Sequence, residues 1–254
     1  MRRVFAIALN TFKETIRDRI LGVIVLFALA MIAGSLWLAS ISLDEAGRMM
    51  KDFGLVAVTL FGLVVAVFVG ASLVHKEVEK RTVFVIFSKP VGRAEFLWGK
   101  FLGLCATLFV VVAAMGAFLF ATTWYVAHAP SASILLAILL IYLQLVVVVA
   151  VTMLFATFTS PILASVLGVC VFVAGQLSHN VFSLTKLGHG PLVKVASWVV
   201  FYAVPDLSAV DVKASVVGED VARWSSVAFW SAYLAAYVVL ALLVASWAFR
   251  RKEF

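Results

Sequence analysis

Residues Ser133–Thr157 read SILLAILLIYLQLVVVVAVTMLFAT and contain no Asp, Glu, Lys or Arg. As an α-helix this stretch is about 37 Å long, which exceeds the roughly 30 Å of hydrocarbon in a bilayer. Such a run is typical of a membrane-spanning helix. Its one amide side chain, Gln144, lies at its centre.

Five further runs have the same length and the same lack of charge. They cover Ile20–Ser42, Phe53–Val74, Phe101–Val126, Ile162–Val181 and Val227–Phe249. The chain is 65% hydrophobic and only 13% charged, whereas soluble domains carry about a quarter charged residues. The sequence therefore predicts an all-α integral membrane protein, a single transmembrane domain over residues 1–254 with six transmembrane helices.

The distribution of basic residues predicts the orientation of these helices. With the N-terminus in the cytoplasm, the cytoplasmic segments hold 14 of the 20 Lys and Arg residues. Basic residues accumulate on cytoplasmic loops, so we expect both termini inside. The same distribution accounts for the net charge of +7 without a nucleic-acid partner.

The N-terminal residues 1–19 are amphipathic without being long enough to span. Phe5, Leu9, Phe12 and Ile16 share one helical face, and the charged residues fall elsewhere. This pattern predicts an interfacial helix on the anionic cytoplasmic leaflet of the bilayer.

The predicted exterior segment, residues 182–226, contains a second short apolar stretch. Leu192–Val204 would be about 20 Å long as a helix, which is too short to cross. A seventh span there would also put Arg250, Arg251 and Lys252 outside, against the charge rule. We expect a re-entrant or interfacial helix on the outer face.

The longest predicted cytoplasmic connection is residues 75–100, HKEVEKRTVFVIFSKPVGRAEFLWGK. Val83–Phe87 form an apolar patch within this charged loop. Exposed apolar residues in such a place usually meet a partner surface, which we favour. The alternative is that these side chains lie on the lipid interface.

The sequence lacks the residues of an autonomous pump or enzyme. It has no Gly-x-x-x-x-Gly-Lys-Ser/Thr loop for nucleotide phosphates, and the only ionisable candidate at membrane depth is His179. We therefore expect no catalytic residue, no metal site and no cofactor in this chain. Two alternatives are an intramembrane enzyme built around His179, His189 and Asp206, and a membrane anchor through which an ATPase acts on an envelope partner without transport.

Three stretches carry a resemblance to a known family. Glu77-x-Glu79-x-Arg81-Thr82, Phe87-Ser88-Lys89-Pro90-x-x-Arg93 and Gly99-Lys100-x-x-Gly103 resemble the cytoplasmic signature of type-2 ABC exporter permeases. The family's Gly before Thr is Arg81 here. Tyr202–Leu207, which includes Pro205 and Asp206, is similar to the family's exterior element.

The resemblance implies a six-helix permease of an ATP-driven exporter in the bacterial inner (plasma) membrane. It implies as partners a separate ATP-binding subunit, which holds ATP and Mg, and a second copy of this chain. Residues Thr82–Phe87 would form the coupling helix. The implied ATPase-coupling interface comprises Glu77, Glu79, Arg81, Thr82, Val83, Phe84, Phe87, Ser88, Lys89, Pro90 and Arg93.

Polar residues within the spans are the candidates for a transport pathway. They are Gln144 in the fourth span and Gln176, Ser178, His179 and Asn180 in the fifth. For Gln144 the alternative is an interhelical hydrogen bond that serves packing. The other four lie near the outer end of their helix, where polar groups are tolerated.

Overall fold

In the computed structural model, the described residues are 2–41, 46–79, 92–127, 132–185, 205–208 and 224–251. Within these ranges the chain forms seven α-helices and no strand. They are α1 (Arg2–Ile16), α2 (Arg19–Ile41), α3 (Ala46–Glu79), α4 (Arg93–Ala127), α5 (Ala132–Ala156), α6 (Pro161–Thr185) and α7 (Trp224–Arg251). The predicted all-helical class is confirmed for this part of the chain.

Five helices of the described part are long and apolar enough to cross a bilayer. Their spanning stretches are Arg48–Ala71, Ala94–Tyr125, Ser133–Ala156, Pro161–Ser178 and Ala228–Ala248. The other predicted span, Ile20–Ser42, falls on the 23-residue helix α2, whose described apolar stretch is Leu21–Gly34. Five predicted spans are thus confirmed as apolar helices of sufficient length, and the sixth stays a prediction. The predicted re-entrant stretch Leu192–Val204 lies outside the described residues.

Two helices extend further than the sequence predicted. With 34 and 35 residues, α3 and α4 are each about 50 Å long and exceed the hydrocarbon thickness. The ends of the predicted connection 75–100 are therefore helical, up to Glu79 and again from Arg93. A capping contact marks the start of α4, because the Gly92 N–H donates to Glu95 Oε2 at 3.3 Å.

Helix α5 lies at the centre of the bundle and contacts α3, α4, α6 and α7. Of its spanning stretch 61% is buried, against 28% for α6 and for α7, so the last two helices are peripheral. On α3, Gly62 and Gly70 allow close approach to α5: a Cβ at Gly62 would lie 2.5 Å from Leu145 Cδ1, and one at Gly70 3.3 Å from Thr152 Cβ. Gly62, Ala66 and Gly70, which recur every four residues, thus lie on a packing face.

A second row of small residues with the same spacing, on α4, does not pack in this way. Ala113, Ala117 and Ala121 lie on the exposed side of α4. The close contact of α4 with α5 is made by Gly116 instead, where an added Cβ would lie 2.8 Å from Ile138 Cδ1.

Candidate functional site

Residues 205–208, Pro-Asp-Leu-Ser, form an irregular segment that packs inside the helix bundle. Pro205 and Leu207 are buried, Leu207 completely. The Leu207 N–H donates to the Gly175 carbonyl of α6 at 3.2 Å. Because hydrocarbon offers no hydrogen-bond partner, irregular backbone at membrane depth is tolerated only where protein or a cavity surrounds it.

The segment lies against α6 at a position that only glycine allows. A Cβ at Gly175 would lie 2.8 Å from the Pro205 carbonyl oxygen and 2.9 Å from Leu207 Cδ1. Real Cβ atoms do not approach other heavy atoms so closely. The absent side chain of Gly175 therefore makes the room that Pro205 and Leu207 occupy.

On the opposite helix, Gln144 holds the same segment. Its Nε2 donates to the Leu207 carbonyl at 3.0 Å, and its side chain is 1% exposed. Gln144 is the central residue of the 25-residue helix α5, so it lies about 18 Å from either helix end. Its Oε1 has no hydrogen-bond partner among the described residues. An unpaired buried acceptor costs about 1–3 kcal/mol.

The Asp206 carboxylate is the charged member of this cluster. Asp206 Oδ1 accepts hydrogen bonds from Ser178 Oγ and from Ser208 Oγ, each at 2.6 Å. Such short distances are typical of hydroxyls that donate to an ionised acceptor. Ser178 Oγ also lies 3.0 Å from the Gly175 carbonyl oxygen, which ties the carboxylate to α6.

This arrangement adds an ionisable candidate that the apolar runs do not contain. The six spans predicted from the sequence contain no acidic residue, and His179 is their only ionisable candidate at membrane depth. The structure brings Asp206 beside Ser178, which is part of the candidate span Pro161–Ser178. The carboxylate comes from a connection between two helices, and a search of the apolar runs alone could not find it. An ionisable group at such a place usually has a function.

The remaining pathway candidates are on α6. The side chain of Gln176 is half-buried, and its Nε2 has no hydrogen-bond partner within the described part of the chain. The helix includes His179 and Asn180, but their side chains lie outside the described residues. No group of three or more His, Cys, Asp or Glu residues that could hold a metal ion occurs among the described residues.

The predicted coupling interface is described only at its edges. Glu77 and Glu79 belong to the last turn of α3, and Arg93 is the first residue of α4. The two helices pack on each other, so they hold the two ends of the predicted coupling segment. The other predicted residues lie outside the described part of the chain: Arg81, Thr82, Val83, Phe84, Phe87, Ser88, Lys89 and Pro90.

The sequence identified Gln144, Ser178, Pro205 and Asp206 as candidates, but it did not predict that they lie in one cluster. The structure brings all four together. Gly175 and Ser208 were missed, although Gly175 directly precedes the candidate Gln176 and Ser208 follows the exterior element. Their role depends on contacts between distant parts of the chain, which no local pattern reveals.

The sequence profile of the family described as "ABC-2 family transporter protein" matches residues 5–254. This range contains every spanning helix and the cluster around Asp206. No curated protein matches the chain.

Proposed function

The chain belongs to the ABC-2 family, whose members are membrane permease subunits of ABC transporters, and we propose that it is an exporter subunit. The resemblance inferred from the sequence is thereby confirmed at the level of the family. The chain is a multi-pass membrane protein, and the permease component is not itself catalytic. In the proposal, two copies pair, and each rests on a separate ATP-binding subunit that holds ATP and Mg²⁺.

The observation that carries the proposal is the packing of Pro205–Ser208 between α5 and α6. In a mostly apolar bundle, Gln144 and Asp206 present hydrogen-bonding groups beside the predicted exterior connection. A polar cargo that crosses the bilayer needs such groups, since hydrocarbon supplies none. We infer that the segment forms the outer part of the export pathway, with Gln176, His179 and Asn180 beyond it on α6.

The proposed energy supply is external to the chain. The sequence has no phosphate-binding loop, so ATP hydrolysis takes place on the partner subunit. The proposed topology has six spans and both termini in the cytoplasm of a bacterial inner membrane. It puts Val83–Phe87 on the cytoplasmic side, where these residues can take up the motion of the ATP-binding subunit.

The test is co-expression of the chain with its cognate ATP-binding subunit. We expect a stable complex with two copies of each subunit and ATP hydrolysis that the chain alone does not show. Cells with the active complex and cells with a hydrolysis-deficient ATP-binding subunit are then compared by mass spectrometry of the medium and the lipids. If the complex is an exporter, at least one compound should leave the cells only when the active complex is present.

Two results would count against this function. Ion-driven transport by the isolated chain in liposomes would contradict the need for a separate ATPase. An ATPase-active complex that moves no compound, and whose activity instead changes an envelope partner, would favour the membrane-anchor alternative. The intramembrane-enzyme alternative would be favoured if the purified chain alone turned over a substrate and lost that activity in an Asp206→Asn variant.

A further inference from the structure

The amphipathic helix α1 packs tightly against the first part of α4. A Cβ at Gly99 would lie 2.8 Å from Ile7 Cβ, and one at Gly103 would lie 2.6 Å from both the Ala8 carbonyl oxygen and Thr11 Cβ. Thr11 is 2% exposed. The backbones of the two helices thus approach each other closely at this crossing.

The residue after the first of these glycines is basic. Lys100 is almost completely buried, and its Nζ lies 5.0 Å from the centroid of the Phe96 ring. This is within the range of a cation–π interaction. The Gly99-Lys100-x-x-Gly103 pattern of the sequence is therefore the docking site for α1.

A second face of α1 is apolar and exposed. Phe5, Leu9 and Ile16 are 70%, 43% and 39% exposed. At about 100° per residue these three side chains form one stripe, separate from the docked face of Ile7, Ala8 and Thr11. In a membrane protein such a stripe fits the acyl region just below the headgroups.

Three basic residues lie at the end of α1, in the turn that follows it and at the start of α2. Lys13, Arg17 and Arg19 are exposed. Residues 2–19 contain five basic and two acidic residues, so the segment has an excess of positive charge. Basic side chains beside an exposed apolar stripe are complementary to the surface of an anionic leaflet.

Helix α4 links the contact with α1 to the predicted ATPase-coupling interface. Helix α4 begins at Arg93, the last residue of the predicted ATPase-coupling interface, and Gly99 follows six residues later. The docked crossing is therefore about 9 Å from the start of α4. Whatever fixes α1 in the headgroup layer also fixes the cytoplasmic end of α4.

We propose that Lys13, Arg17 and Arg19, with the apolar stripe of α1, form a binding surface for anionic phospholipids, and that lipid bound there activates the ATP-driven cycle through the contact of α1 with α4. The first part of this proposal, the binding of lipid, requires only this chain. The activation half rests on the proposed function, because it needs an ATP-binding subunit.

The lipid-binding half is tested on the purified chain by native mass spectrometry with phosphatidylglycerol and phosphatidylcholine as probes. Each basic residue near an anionic surface strengthens binding roughly fivefold. The triple variant Lys13→Gln, Arg17→Gln, Arg19→Gln should therefore lose about a hundredfold in phosphatidylglycerol affinity. A matched control, Lys186→Gln, Lys194→Gln, Lys213→Gln in the predicted exterior segment, removes the same charge and should stay at the parental affinity. Equal phosphatidylglycerol binding by the triple variant and the parent would overturn the proposal.

The activation half is tested on the complex with its ATP-binding subunit, in nanodiscs of phosphatidylcholine with or without phosphatidylglycerol. We expect ATP hydrolysis by the parent and by the control variant to rise with phosphatidylglycerol, and that of the triple variant to stay flat. Gly103→Ala should keep phosphatidylglycerol binding and lose activation, because it disturbs only the docking contact. If Gly103→Ala does not assemble, Thr11→Leu tests the same contact from the side of α1.

Failure of the proposed function, of the regulatory link and of lipid binding would each give a different result. Absence of any complex would refute the proposed function while the mass spectrometry still measures lipid binding. Equal activation of parent and triple variant would refute the regulatory link. Loss of ATP-binding subunit from the triple variant, with unchanged lipid binding, would show that the basic surface binds protein instead.

Discussion

Gln144 Nε2 and the Leu207 carbonyl oxygen are joined by a 3.0 Å hydrogen bond across 63 residues of sequence. The bond links the centre of α5 to an irregular segment that also contacts α6. Because the side chain is buried in an apolar bundle, no water replaces this donor when it is removed.

Replacing Gln144 by Leu should loosen the Pro205–Ser208 segment. The Leu207 carbonyl then loses its donor, at a cost of about 1–3 kcal/mol, which corresponds to at least about a fivefold change in an opening equilibrium. The measurement uses Ser208→Cys in a background in which Cys105 and Cys170 are replaced by Ala. An impermeant thiol reagent added from outside should label the cysteine at least about fivefold faster in the Gln144→Leu variant.

The control for this prediction is Gln176→Leu, an equal change on α6 at a side chain that has no hydrogen bond to Leu207. Labelling of Ser208→Cys should keep its parental rate there. If Gln144→Leu also labels at the parental rate, the hydrogen bond does not hold the segment.

Gly175→Ala should destabilise the folded protein. Its new methyl group meets the Pro205 carbonyl oxygen, with 2.8 Å available, and such overpacking costs about 1–3 kcal/mol. Gly34→Ala on α2 is the matched change, since nothing lies within 4 Å of a Cβ there. Alanine favours a helix over glycine by up to about 1 kcal/mol, so this control should be neutral or stabilising. Thermal unfolding in detergent distinguishes the two, and equal melting temperatures would contradict the close approach at Gly175.

The predicted orientation can be tested at both sides of the membrane. With 14 of 20 basic residues on one side, a reporter fused after Glu253 should be active only in the cytoplasm. A cysteine at Gly188, in the predicted exterior segment, should react with an impermeant reagent in intact cells. Labelling of Gly188→Cys only after the cells are opened would overturn the six-helix topology.

The double variant Phe84→Ala, Phe87→Ala should weaken binding of the ATP-binding subunit. Aromatic residues central to an interface typically lose about 2 kcal/mol or more on truncation, which is at least about tenfold in affinity. Membrane insertion should be unaffected, because neither residue is in a predicted span. The measurement is recovery of the ATP-binding subunit in a pull-down from membranes. Equal recovery by variant and parent would place these rings on lipid.

Composition and local motifs were sufficient to predict that the protein lies in a membrane, that its fold is all-helical and which family it belongs to. Runs such as Ser133–Thr157 exceed the bilayer thickness without a charge, and a lipid-embedded backbone must then form helices. The cytoplasmic motif around Pro90 identified the family. These features are local in sequence or are sums over composition, and therefore no contact between distant residues is needed to recognise them.

Which polar residues contact one another could be seen only in the tertiary structure. Asp206 reads as an exterior loop residue, yet its carboxylate binds Ser178 of α6. The same holds for the small-residue stripes: Gly62 and Gly70 pack, whereas Ala113 and Ala117 are exposed. Helical spacing shows which side chains share a face but not what that face meets. That choice depends on how the helices cross and on where the connection re-enters the bundle, and both are set by contacts between parts of the chain that are far apart in sequence.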